Sequence, residues 1–212
     1  QTGEQQRSHP KTRKAVELIL NGLMGKIQKI IGYNYPSAWE CNFPPQPVPE
    51  YLDWDRWCGQ NEVVPYHTDL YLSRIPYEPE ETFPPQPAEK YAVGPGWMSF
   101  RPYSGGELPN WGCHGLSMVQ WALQMDHSGP VEIIPPDGKD TKVLTYKYAN
   151  GIPMTRDNAN GVLFEGTTGK VEVNRGYLKT WPDNLKDQVI GPDQVHLYDS
   201  KDHYADWLDA IR

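Results

Sequence analysis

The apolar positions of the chain switch between two periods. In Pro10 to Gly22, Ala15, Leu18 and Ile19 recur at helical spacing. Ser8 or His9 can cap this helix, Pro10 suits its first position, and Asn21-Gly22 supplies the stop. The polar run Gln1 to Ser8 before it reads as loop. From Lys26 to Tyr35 the pattern alternates at Ile27, Lys29, Ile31 and Tyr33, which predicts a strand. Leu52 to Gly59 reads as a short helix that lays Trp54 and Trp57 on the protein. Helical spacing returns from about Leu108 to Gln124. There Leu116, Val119, Ala122 and Leu123 face a core, while Asn110, His114 and Ser117 share another face. Val131 to Pro135 and Lys142 to Tyr148 are strand-like. Gly161 to Gly166 and Lys170 to Asn174 flank Thr167-Thr168-Gly169 as a hairpin. Tyr177 to Gln194 reads as loop. His203 to Arg212 closes the chain as an amphipathic helix with Tyr204, Trp207, Leu208 and Ile211 on one side.

Consecutive strands joined by short turns predict an antiparallel sheet, and helices on one face of it give an α+β fold. A long Pro-rich insertion over 36–96 interrupts the early part of the chain. The pentapeptide FPPQP occurs in it twice, at Phe43 to Pro47 and Phe83 to Pro87, and reads as two polyproline-like turns. A loop of this length is usually functional or disordered, and its aromatic content favours an ordered wall.

Composition narrows the function classes. The net charge is −7, and lysine and arginine form no stripe, which argues against a nucleic-acid partner. Thirteen Tyr and eight Trp give large apolar surface, unlike a disordered chain. The three cysteines, Cys41, Cys58 and Cys113, lack CxxC spacing, so no structural zinc site is expected. No run of about 18 apolar residues predicts a membrane span, and no signal peptide is visible. The chain opens on Gln1, and both ends read as cuts through a larger protein. Composition leaves localisation open.

The candidate chemistry lies in Ser104 to Leu123. Asn110 and His114 stand four residues apart, one helical turn, at the mouth of the predicted helix. A histidine there is a candidate acid/base group, and Asn110 is an orienting group or a cap. Gly105-Gly106 reads as a tight turn. Neither Gly94 to Gly96 nor Ser104 to Gly106 has the spacing of a phosphate-binding loop, so the chain is not expected to bind a dinucleotide in the usual way.

RSHPKTRKAVELILNGLMGKIQKI, PVPEYLDWDRWCG, Pro65-Tyr66-His67, GGELPNWGCHGLSMVQWAL, GVLFEGTTGKVEVNRG and HYADWLDAIR together resemble the Gfo/Idh/MocA oxidoreductases. The resemblance spans nearly the whole chain. It implies a dihydrodipicolinate-reductase-like C-terminal domain, a large mostly antiparallel sheet with helices on one face. Residues 1–25 then form the junction segment and helix after a missing Rossmann domain, and 26–212 the substrate and oligomerisation domain. NAD or NADP would be held mainly by the missing domain, which would also carry a catalytic lysine.

The resemblance further implies a sugar or polyol dehydrogenase, with a homo-oligomer formed through the sheet face. The alternatives are an NAD-dependent glycosidase acting by transient oxidation and a non-catalytic dimerisation or ligand-binding domain. The family's Asp-x-x-x-His motif reads Asn110-Trp111-Gly112-Cys113-His114 here, and a later Asp position is Ser117. His114 would exchange the proton of a substrate hydroxyl. Tyr66, His67, Trp97, Arg101, Tyr103 and Arg7 are the candidate substrate contacts. The isolated chain is expected to be inactive as a dehydrogenase.

Overall fold

A computed structural model of the chain describes residues 3–32, 37–38, 40, 42–71, 96–157 and 161–212, with the side chain of Tyr71 left aside. The second FPPQP run, Cys41 and the Tyr33–Tyr35 end of the first predicted strand lie outside the described residues. The helices are α1 (Gln5–Ser8), α2 (Pro10–Leu20), α3 (Trp54–Cys58), α4 (Thr68–Tyr71), α5 (Glu107–Leu123) and α6 (His203–Ile211). The strands are β1 (Ile27–Gly32), β2 (Pro130–Ile134), β3 (Thr145–Tyr148), β4 (Pro153–Arg156), β5 (Val162–Gly166), β6 (Lys170–Asn174) and β7 (Tyr177–Trp181). The chain divides into two compact units, Gln1–Asn34 with Trp111–Arg212, and Tyr35–Asn110.

The first unit is α+β. Among the described residues its sheet has seven strands in the order β2-β3-β4-β1-β5-β6-β7. All pairs are antiparallel except β1 with β4. Residues paired across a sheet share a face. One such row crosses the whole sheet: Ile133, Tyr146, Met154, Ile30, Phe164, Val171 and Thr180. Its central members are buried, and they pack against Ala15, Val16 and Ile19 of α2 and Met118, Val119, Trp121 and Ala122 of α5. Each fully buried side chain of this kind contributes about 1.5–3 kcal/mol. The opposite face carries the row Lys29, Glu165, Lys170 and Trp181. The expected helices on one sheet face are therefore present.

Local chemistry explains the element boundaries. Pro10 opens α2, and the His9 ring accepts a hydrogen bond from the Lys11 amide at 3.3 Å. The β5–β6 hairpin closes at Thr167-Thr168-Gly169, where the Gly166 amide donates to the Gly169 carbonyl at 2.8 Å. Asp202 caps α6 by accepting from the Tyr204 and Ala205 amides.

Several expectations are corrected. Gln5–Ser8 is helical rather than loop. The 177–194 segment is not loop throughout. Its first five residues are β7, which follows a turn at Gly176 (φ 83°), and Asp183–Asp187 forms a 3-10 helix. β4 has no counterpart in the sequence reading. It opens on a proline and gains its order from pairing with β3 and the distant β1. The predicted 142–148 strand begins only at Thr145. α6 forms with no buried residue. No helix among the described residues is long and apolar enough to cross a membrane.

The second unit is smaller and built on rings. Trp54, Cys58, Tyr66, Leu70 and Phe100 form its buried cluster, with Phe43, Trp57 and Tyr103 packed against it. The Asp53 side chain caps α3 by accepting from the Arg56 amide at 3.0 Å. Gly106 stands at the mouth of α5 with φ 82°. A Cβ placed there would lie 2.4 Å from the Ala38 nitrogen and 2.6 Å from the Ser37 carbonyl carbon. Only glycine satisfies both the left-handed backbone and this approach; Gly106 forms an isolated antiparallel bridge with Ser37 in place of the expected tight turn.

Candidate functional site

His114 lies on α5 within the first unit, half-buried. Its Nδ1 is a buried atom with no hydrogen-bond partner among the described residues. The Trp111 ring meets the imidazole edge-on at 6.2 Å, and the Arg175 guanidinium sits 5.0 Å over Trp111. Burial, then the Arg175 charge, pushes the His114 pKa below its ordinary value of 6.5, while the Glu4 charge opposes them. The imidazole is thus held neutral at neutral pH, the form that accepts a proton. An unsatisfied buried ring nitrogen costs about 1–3 kcal/mol, and a bound hydroxyl would remove that cost.

Glu4 was not a candidate in the sequence. Its Oε2 is also buried without a hydrogen-bond partner among the described residues, and its charge acts on both Cys113 and His114. More than a hundred residues separate it from His114, so no local motif could reveal it. The Cys113 thiol beside it is pushed up, first by burial and then by Glu4. A thiol so held is a poor nucleophile.

Arg7 is committed to its own unit. It forms a two-pronged pair with Asp126 at 2.8 and 2.6 Å, and its Nε donates to the Ser117 hydroxyl at 3.0 Å. The guanidinium also lies 5.4 Å over the Trp121 ring. Ser117, at the second expected carboxylate position, thus receives a cation's hydrogen bond, and the carboxylate facing Arg7 comes from Asp126.

The other candidates belong to the second unit. Asn110 is not at the cap position, because α5 begins at Glu107. Its Nδ2 donates to the Glu107 carboxylate at 2.9 Å. Tyr66 is only 5% exposed. It meets Trp54 edge-to-face at 5.1 Å, and its hydroxyl is 3.3 Å from the Thr68 hydroxyl. His67, 6% exposed, stacks on Phe43 at 4.5 Å. Its Nδ1 accepts from the Asp69 amide at 3.1 Å, and burial lowers its pKa against the opposing pull of Asp69. Arg101 pairs with Glu40 at the surface, where such pairs contribute little.

Trp97 and Tyr103 do share a cavity. It measures about 620 Å³ and is also lined by Trp57, Cys58, Asn61, Glu62, Val64 and Pro102. Trp57 is fixed by stacking on Trp54 at 4.4 Å, and the Trp54 indole N–H donates to the Val64 carbonyl at 2.6 Å. The sequence signal was the pair of tryptophans on the short helix, which pointed to a surface role without naming the lining.

A mostly antiparallel sheet backed on one face by helices, with a neutral histidine on the long helix, defines an α+β domain distinct from a doubly wound nucleotide-binding one. The chain belongs to the Gfo/Idh/MocA oxidoreductases: residues 9–212 match the family's C-terminal alpha/beta domain. No curated protein matches the chain.

The family uses NAD(P). A dinucleotide pyrophosphate needs a glycine-rich turn between a parallel strand and an open helix N-terminus. Here the glycine at the mouth of α5 is packed against the Ser37–Ala38 backbone, and the one parallel pair of the described sheet joins β1 to β4. The described residues do not fit the dinucleotide.

Proposed function

We propose that this chain is the substrate-binding and acid/base half of an NAD(P)-dependent sugar or polyol dehydrogenase. The observation that carries the reading is His114: a half-buried, neutral imidazole whose Nδ1 has no hydrogen-bond partner among the described residues. Such a group takes the proton of a substrate hydroxyl as the carbon bearing it is oxidised. Trp111 borders one edge of the imidazole, and Glu4 offsets part of the Arg175 charge at His114. The chemistry assigned to the described residues in this reading is substrate binding and proton transfer.

The test is turnover of a panel of neutral sugars and polyols by a protein carrying this domain together with a nucleotide-binding one. His114→Ala should lower kcat by about 10²–10⁴-fold while the far-UV spectrum is kept. Unchanged turnover would refute the assignment. Self-association through the outer sheet face is part of the same proposal. It is supported by the part-buried Ile31 and Leu163, which pair on that face, and by the exposed Trp181 on the same face two strands away at the sheet edge, and sedimentation equilibrium tests it.

A further inference from the structure

We infer that the Tyr35–Asn110 unit holds its own binding site for an uncharged pyranose or cyclitol ring, in the cavity between α3 and the Trp97–Tyr103 segment. The ligand class follows from the lining. Trp57, Trp97 and Tyr103 present flat apolar surface of the kind that covers the C–H face of a six-membered sugar ring. Asn61 and Glu62 add an amide and a carboxylate to the same wall, partners for ring hydroxyls. The Asn61 amide nitrogen is already donated to the Cys58 carbonyl at 3.3 Å, so its oxygen faces the role of acceptor.

Charge narrows the class further. The described lining carries one carboxylate and no lysine or arginine. A sugar phosphate or a uronate would bring a second negative charge beside Glu62 with no cation in the described lining to pair it, which is unfavourable. The site therefore selects neutral rings over anionic ones. At about 620 Å³ the cavity falls within the range of small-ligand sites. Its aromatic wall is also preformed. Trp54 is anchored by its bond to Val64 and its edge contact with Tyr66, and Trp57 stacks on Trp54. A fixed wall spares the ordering cost of binding. In its choice of ligand the inference rests on the sugar and polyol reading above, but its residues all belong to the other unit.

The test is ligand-observed and indole-resolved NMR on the full chain, titrated with D-glucose, N-acetyl-D-glucosamine, myo-inositol and glucose 6-phosphate. At least one neutral compound should bind and shift the Trp57 and Trp97 indole resonances, with glucose 6-phosphate at least about tenfold weaker. Trp97→Ala should weaken binding about tenfold or more. Trp97 is 39% exposed, so its removal is expected to leave the fold intact, and Trp57→Phe is the second variant, keeping a ring against Trp54. Binding that leaves both indoles unmoved and survives both variants would overturn the site, as would no binding of any neutral compound or equal binding of the phosphate. Any of these failures leaves the His114 reading to be judged on turnover alone.

Discussion

The two units of this chain spend their aromatic and apolar residues differently. In the sheet unit, Phe164, Ile30, Met154 and Val171 fall in one cross-strand row and are sealed by α2 and α5. Burial there is continuous, and the proposed site is one imidazole whose Nδ1 has no hydrogen-bond partner among the described residues. In the Tyr35–Asn110 unit the cluster is small, and its rings contact each other as stacks and edges: Trp54 on Trp57, Tyr66 on Trp54, Phe43 on Phe100. A ring-built cluster leaves flat surface at its margin, and the cavity forms at that margin. The lesson is that aromatic abundance has two separate structural outcomes within one chain. A sealed core presents chemistry through a single polar atom, and an open ring cluster presents a wall.

The largest expected effect tests whether the units are separate in stability. Phe164→Ala should cost roughly 3–5 kcal/mol, because it opens a cavity in the sealed row. Urea unfolding should show it as a loss of the sheet's transition midpoint. Phe100→Ala, a change of the same size, should instead raise amide exchange across the described part of 37–110 and leave β5 and β6 protected. Equal loss of protection in both units would erase the distinction.

A smaller effect is expected at Gly106. Its left-handed backbone and close approach to Ser37 and Ala38 make Gly106→Ala destabilising by roughly 2–3 kcal/mol, read from the same urea curves. Gly138, with φ 73° and nothing near its Cβ position, is the control for backbone strain alone.

The smallest effect is electrostatic. Glu4 raises the His114 pKa against burial and Arg175. Glu4→Gln should lower it further, measured by NMR titration. A rise would show that the two groups do not interact as described.

Periodicity made part of this fold legible. The helical spacing around His114 gave α5 to within a residue at each end, and the turn Thr167-Thr168-Gly169 located the β5–β6 hairpin. β4 was illegible because four residues starting with Pro153 carry no pattern, and their order comes from distant β1. β7 was hidden because its inward positions, Leu178 and Thr180, are few and one is polar.

The site was harder to read. His114 stood out as a histidine on the polar face of a strong helix. Tyr66 and His67 follow Pro65 and read as candidate substrate contacts, and sequence does not show which aromatic face is covered. The structure buries both. Glu4, Arg175, Asn61 and Glu62 join their neighbours through folding alone, so no spacing announced them.

The pH dependence has a definite sign. Burial depresses the folded-state pKa of His114 below its unfolded value near 6.5. Its neutral form thus contributes stability that is present above that value and lost as pH falls through the folded pKa. The acid limb of kcat/KM should lie below the ordinary histidine range for the same reason. The most direct measurement is therefore the NMR titration of the His114 ring in the full chain, assigned with the His114→Ala variant. The account predicts a pKa below 6.5. A value at or above 6.5 would contradict the neutral, proton-accepting histidine on which the proposed function rests.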